Sequence, residues 1–151
     1  MSYNVIIYTD GACNKQRIGG YGAYLKHDSD ELKLSGYELD TTNNRMELMG
    51  VIAAIEKLNQ PCNITLYTDS VYVKEGISNW IHKWKLNNWK TANRKDVLNK
   101  DLWLRLDEAI KKHNIEWHWV KGHSGVEGNE ICDKLATDAI KKYLENSFAK
   151  K

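Results

Sequence analysis

Cysteine is scarce and unpaired in this chain: it has three, Cys13, Cys62 and Cys132, and no C-x-x-C pair. An odd count without paired spacing argues against a disulfide framework and against a structural zinc site. None of the five histidines stands four residues from another, so a helical zinc pair is absent too. No apolar run approaches the roughly 18 residues that a membrane span needs, and no basic segment leading into an apolar core opens the chain. These absences lead us to expect a reduced, soluble, cytoplasmic protein. Charge of one sign is also lacking, since the net charge is only +2. With 151 residues, 42% hydrophobic and 28% charged, the chain suits one domain over 1–151.

What is present starts with NVIIYTDGAC at 4–13. The β-branched and aromatic run from Val5 to Tyr8 reads as a buried strand, yet it runs into Asp10 and then Gly11, where a turn is the plain expectation. NITLYTDSVY at 63–72 repeats the pattern: an apolar run ends in Tyr-Thr-Asp, and Ser70 follows as a helix N-cap would. Two core strands that each deliver an aspartate at the carboxyl end suggest a shared site.

Periodicity lays out the rest. Strand one covers about 4–10, and residues 21–39 read as two further strands in a hairpin, which requires antiparallel pairing. TTNNRMELMGVIAAIEKL at 41–58 keeps helical spacing, with Asn44 and Glu47 placed as in a capping box and the single proline, Pro61, as a stop. Strand four at 63–68 then implies a parallel, right-handed crossover. Helical material follows to about 113, broken at Gly76, Asn87-Asn88 and Thr91–Asn93, with Leu102, Leu106, Ala109 and Ile110 inward. IEWHWV from 115 alternates as a strand. A closing helix runs to about Leu144, with Ile131, Leu135, Ala139 and Ile140 inward.

If strands one and four pair in parallel at roughly 4.8 Å, Asp10 and Asp69 face each other at a switch point of the sheet, where α/β folds bind ligands. Glu47, in the first turn of the first helix, and Asp133, early in the last, can reach the same place. Four converging carboxylates repel and raise one another's pKa unless cations join them. Hard oxygen donors suit Mg²⁺, and two ions roughly 3.5–4 Å apart can activate water and stabilise the leaving oxygen of a phosphodiester.

Residues 78–100 hold six basic residues, Lys83, Lys85, Lys90, Arg94, Lys95 and Lys100, against Asp96 alone, so the window is +5 and the remainder −3. Trp80, Trp84 and Trp89 are interleaved with them, the composition of a nucleic-acid surface. Core packing is the alternative for Trp80 and Trp84, which share a helix face at i, i+4.

The motifs YTDGAC, TTNNRMEL, YTDS, WVKGHSG and NEICDKLA, in this order and spacing, resemble type 1 ribonuclease H over about residues 3–140. The basic segment resembles the handle of the bacterial enzymes. The resemblance implies an α/β fold with a mixed five-stranded sheet in the order 3-2-1-4-5, the first three strands antiparallel, flanked by helices. It implies a monomeric Mg²⁺-dependent endonuclease, with Mn²⁺ as a substitute, that cuts the RNA strand of RNA–DNA hybrids and leaves 3′-hydroxyl and 5′-phosphate ends. Asp10, Glu47, Asp69 and Asp133 match the metal-binding carboxylates, and His123 matches the loop histidine assigned to proton transfer or product release.

The resemblance also assigns substrate contacts. Asn43 and Asn44 match residues that approach the hybrid's minor groove, where amides can both donate to and accept from the 2′-hydroxyl. Cys13 and Asn14 lie in the loop bordering that groove. Trp80 matches an aromatic on the deoxyribose strand, with Trp84, Lys85, Trp89 and Lys90 near its backbone, and Thr42 with Asn99 matches a DNA-phosphate pocket. Three features depart from the family pattern: NKQRIGG, with Gln16, after the first aspartate; Val71 where an amide is common; and Asp40 where a base is common. They imply a lost RNA contact at Val71 and weaker phosphate affinity at Asp40.

Other readings carry less. A transposase-like polynucleotidyl transferase would need target-binding domains, and a non-catalytic hybrid-binding module would not need all four carboxylates and His123. A phosphate-accepting receiver fold could use Lys121 at a strand end, but three consecutive opening strands contradict its regular alternation.

Overall fold

The computed structural model describes residues 3–120 and 127–149. Its five-stranded sheet has the order β3-β2-β1-β4-β5, as expected. β1 (Tyr3–Cys13) pairs antiparallel with β2 (Gly19–His27), which pairs antiparallel with β3 (Asp30–Glu38). On its other side β1 pairs in parallel with β4 (Cys62–Thr68), and β4 with β5 (Asn114–Trp119). Helix α1 (Asn43–Glu56) covers one face of β1 and β2, and α5 (Glu127–Ala149) lies against β1, β2 and β3. The core between α1 and the sheet includes Ile7, Leu48, Val51, Ile52, Ile55 and Leu66, all fully buried.

Several local expectations are corrected. Gly11 does not end β1: the strand continues to Cys13, with Asp10 opposite Gly22 and Gly11 opposite Tyr21, because β2 supplies a ladder beyond the point where β4 stops. The cap of α1 is Thr42, whose hydroxyl accepts from Arg45 N at 3.2 Å, so Asn44 and Glu47 do not form a capping box. Glu47 therefore sits past the first turn, deeper than the sequence pattern placed it.

Gly76 does not break the helical run either. α2 (Val71–Glu75), capped by Ser70 as expected, passes through a wider π-helical turn, Gly76–Trp80, into α3 (Ile81–Leu86). Glycine is needed there for space, since a Cβ would lie 2.0 Å from the Trp103 ring. In α4 (Lys100–Ile110), Leu102, Trp103 and Leu106 are buried whereas Ala109 and Ile110 are only partly so. α5 runs past Leu144 to Ala149, and its buried line is Cys132, Ala136 and Ile140, one position round from Ile131, Leu135 and Ala139, which are half-buried.

Between α3 and α4, Asn88, Trp89, Arg94 and Asn99 all stand at left-handed φ, from 54° to 62°. A tryptophan rarely adopts that conformation. Trp89 is held there by packing, its ring centroid 6.2 Å from that of Trp84, which in turn meets Trp103 at 5.4 Å. Trp84 and Trp89 thus pack on the core, the alternative raised for Trp84, while staying half-exposed. Among the described residues, no helix is long and apolar enough to cross a membrane.

Candidate active site

The parallel ladder of β1 and β4 ends at Tyr8 opposite Tyr67. Two residues further along the chain stand Asp10, still in β1, and Asp69, just past the end of β4, so the repeated Tyr-Thr-Asp places both carboxylates where the strands part. Thr9 and Thr68 point the other way and are fully buried. Glu47 joins the pair because Gly11 lets α1 come close: a Cβ on Gly11 would sit 2.5 Å from Glu47 N. One carboxylate oxygen from each of Asp10, Glu47 and Asp69 lies within 4.8 Å of the others.

The electrostatics of this triad are unfavourable without a cation. Burial pushes the Asp10 carboxyl above its ordinary range, Asp69 adds to the rise and Asp133 contributes more weakly, while the Gly11 N–H, donating to Oδ1 at 2.9 Å, opposes it. Burial pushes Glu47 up as well, followed by the charges of Asp10 and Asp69. Glu47 is only 6% exposed, and its buried Oε2 has no hydrogen-bond partner among the described residues. An orphaned carboxylate oxygen within an all-oxygen donor set fits a hard divalent cation, which would supply the missing partner.

This arrangement has a measurable consequence. A carboxyl whose folded-state pKa exceeds its unfolded value stabilises the fold fully below that unfolded value, and the contribution is lost as pH rises through the folded value. With EDTA present, part of the melting temperature should therefore be lost between about pH 5 and pH 8, and millimolar Mg²⁺ should restore more at pH 8 than at pH 5. Scanning calorimetry that finds no Mg²⁺ response at either pH would contradict a metal-ready triad.

The other site residues are distributed as follows. Asp133, on α5, is half-buried and close enough to raise Asp10, although it is not part of the tight triad. His123 and Lys121 lie outside the described residues. Asn43 and Asn44 are exposed in the first turn of α1. The Cys13 thiol contacts the carbonyls of Asn14 and Thr41, each at 3.6 Å. The Asn14 side-chain oxygen is spent on its own loop, accepting from Gln16 N at 2.9 Å and Ile18 N at 3.0 Å. Val71 is 68% exposed. Asp40, at φ 51°, pairs with Arg17 at 3.4 Å.

In the basic window at 78–100, Trp80 is half-exposed and meets Tyr72 edge-on at 5.6 Å. Two lysines of this window are not free: Lys85 pairs with Asp107 at 2.7 Å, and Lys90 pairs with Asp96. Lys83 and Lys95 are exposed, with no ion pair among the described residues.

Sequence reasoning missed Arg45. Its Nε donates to Glu38 at 2.7 Å, and its two terminal nitrogens grip Asp101 at 2.9 and 2.7 Å. These partners lie 7 and 56 residues away, too far for any local pattern to reveal.

The RNase H family model matches residues 2–141. A ribonuclease H of Rhodopseudomonas palustris strain BisB5 is 56% identical over 140 residues, covering 92% of this chain and 93% of its own length. One from Francisella philomiragia is 55% identical over 138 residues, covering 91% of each. Among solved structures, a type 1 RNase H with the type 2 active-site motif, LC9-RNase H1, superposes with a TM-score of 0.83 at 30% identity, covering 94% of this chain and 74% of that one. The N-terminal RNase H domain of a Mycobacterium tuberculosis protein superposes with a TM-score of 0.74 at 25% identity, covering 97% and 99%.

Proposed function

We propose that this chain, which belongs to the type 1 ribonuclease H family, is an endonuclease that hydrolyses the RNA strand of RNA–DNA hybrids, leaving 3′-hydroxyl and 5′-phosphate ends. The observation that carries this reading is the buried triad of Asp10, Glu47 and Asp69 at the point where β1 and β4 part. Asp133 borders it. Bound there, two Mg²⁺ ions would supply an activated water and stabilise the leaving oxygen.

The chain's own residues do the rest. The Gly11 N–H fixes one oxygen of Asp10, and burial of Glu47 keeps competing water from its Oε2. Asn43 and Asn44, exposed in the first turn of the helix that carries Glu47, present amides to the minor groove, where the 2′-hydroxyl marks RNA. Trp80 offers its half-exposed face to a deoxyribose of the other strand. The products carry the test: RNA fragments from a cut hybrid should be extended by a polymerase without phosphatase treatment. Fragments that need phosphatase first would contradict the proposed ends.

The handle supplies affinity through phosphate contacts, and the ion pairs sort its lysines. Replacing Lys83 and Lys95 by Ala should weaken hybrid binding and reduce the log–log salt slope by about 0.7 to 0.9 for each lost contact. Replacing Lys85 and Lys90 should change the slope less, because their charges already face Asp107 and Asp96. Equal slopes for the two pairs, measured by fluorescence anisotropy across a salt series, would reject this division.

A further inference from the structure

The family resemblance implies a DNA-phosphate pocket at Thr42 and Asn99, and the side-chain oxygens of both accept from one residue. Thr42 Oγ1 accepts from the Arg45 backbone N–H at 3.2 Å, and Asn99 Oδ1 accepts from an Arg45 guanidinium N–H at 3.4 Å. The same guanidinium is fixed from its other sides by Glu38 and by the bidentate fork to Asp101. It is largely buried, at 23% exposure, and faces two carboxylates, so it has no spare charge for a phosphate.

Asn99 itself is bent to this purpose. It stands at the N-cap of α4 with φ 59°, where an asparagine side chain would ordinarily bond the helix's free N–H groups, yet it makes no such bond. Its Nδ2 donates to the Tyr72 hydroxyl at 3.1 Å instead, and that oxygen also accepts from Trp103 Nε1 at 3.1 Å. Tyr72 touches Trp80 edge-on.

Arginine can only donate, so it fixes the Asn99 amide with its oxygen toward Arg45 and its nitrogen toward Tyr72. Each side-chain oxygen thus already accepts from Arg45, while the Thr42 hydroxyl proton and the second amide hydrogen of Asn99 remain to be donated outward. An ionised phosphodiester oxygen can only accept. We propose that Arg45 is a positioning residue for hybrid binding, which orients Asn99 and, through Tyr72, steadies Trp80 so that the pocket presents donors to one phosphate of the DNA strand. This inference rests on the function proposed above.

Binding can be measured with a labelled hybrid in Ca²⁺, alongside hybrids carrying a single uncharged methylphosphonate at successive positions of the DNA strand. Arg45→Met should weaken binding of the unmodified hybrid on the order of tenfold, the loss of one charge-assisted hydrogen bond, and Arg45→Lys should recover only part of it, because one ammonium can donate to Asn99 but cannot reproduce the guanidinium fork to Asp101. In the wild type one methylphosphonate position should be costly, and in Arg45→Met that penalty should vanish while kcat stays within about twofold, since the metal ligands are untouched. Circular dichroism melting identifies variants that fail to fold, and Asp101→Asn, which loosens the same guanidinium from the far side, should reproduce the effect more weakly. A wild type that binds the hybrid beside an Arg45→Met protein with the same affinity, or with the same methylphosphonate penalty, overturns this inference alone. A wild type that does not bind the hybrid overturns the function and this inference with it.

Discussion

Asp10→Asn should reduce hybrid cleavage by several orders of magnitude while leaving hybrid binding nearly intact. The amide keeps the shape of the side chain, and its oxygen can still accept the Gly11 N–H at about the same 2.9 Å. It loses the charge that the triad needs to hold a cation between three carboxylates within 4.8 Å of one another. The same substitution removes the repulsion that raises Glu47, so the metal-free variant should melt higher than the wild type near neutral pH. Cleavage lost and stability gained in one variant is the signature of a functional carboxylate, since a structural one would lose both. Near-normal turnover, or a lower melting temperature in EDTA, would reject this role for Asp10.

The second large effect concerns His123, which stands between Gly122 and Ser124-Gly125 in the segment before α5. His123→Ala should lower kcat on the order of 10²-fold, the usual contribution of a positioned acid or base, with little change in hybrid affinity. The pH–rate profile should also lose one limb, because imidazole is the side chain that titrates near neutrality. An unchanged turnover number would remove His123 from the reaction.

Much of this was legible in the chain because strands and helices report their faces. The period of two in VIIYTD and ITLYTD places Asp10 and Asp69 on one side and the buried Thr9 and Thr68 on the other, and the parallel register, Tyr8 with Tyr67, brings the aspartates together. Glu47 was legible as an inward residue of α1. Its depth was not, because Thr42 competes with Asn44 for the cap and wins by reaching Arg45 N.

What stayed hidden depends on contacts between distant parts of the chain. Gly11 reads locally as a turn, and only β2, supplying Tyr21 as its partner, keeps it in the strand. Gly76 reads as a break, but its missing side chain makes room for Trp103. The basic window looked uniformly available for phosphate. In the folded protein Lys85 is neutralised by Asp107, a residue of α4 outside the window. Arg45, flanked by Asn44 and Met46, gives no local sign that Glu38, Asn99 and Asp101 converge on it.

The central claim is tested most directly with four matched end-labelled duplexes of one sequence: an RNA–DNA hybrid labelled on either strand, an RNA duplex and a DNA duplex, each incubated with Mg²⁺ or with EDTA. Internal cuts are expected in the RNA strand of the hybrid with Mg²⁺, and none in its DNA strand, in either homoduplex or in EDTA. Cleavage of the hybrid's RNA in EDTA, equal cleavage of the RNA duplex, or an intact hybrid in Mg²⁺ would contradict it.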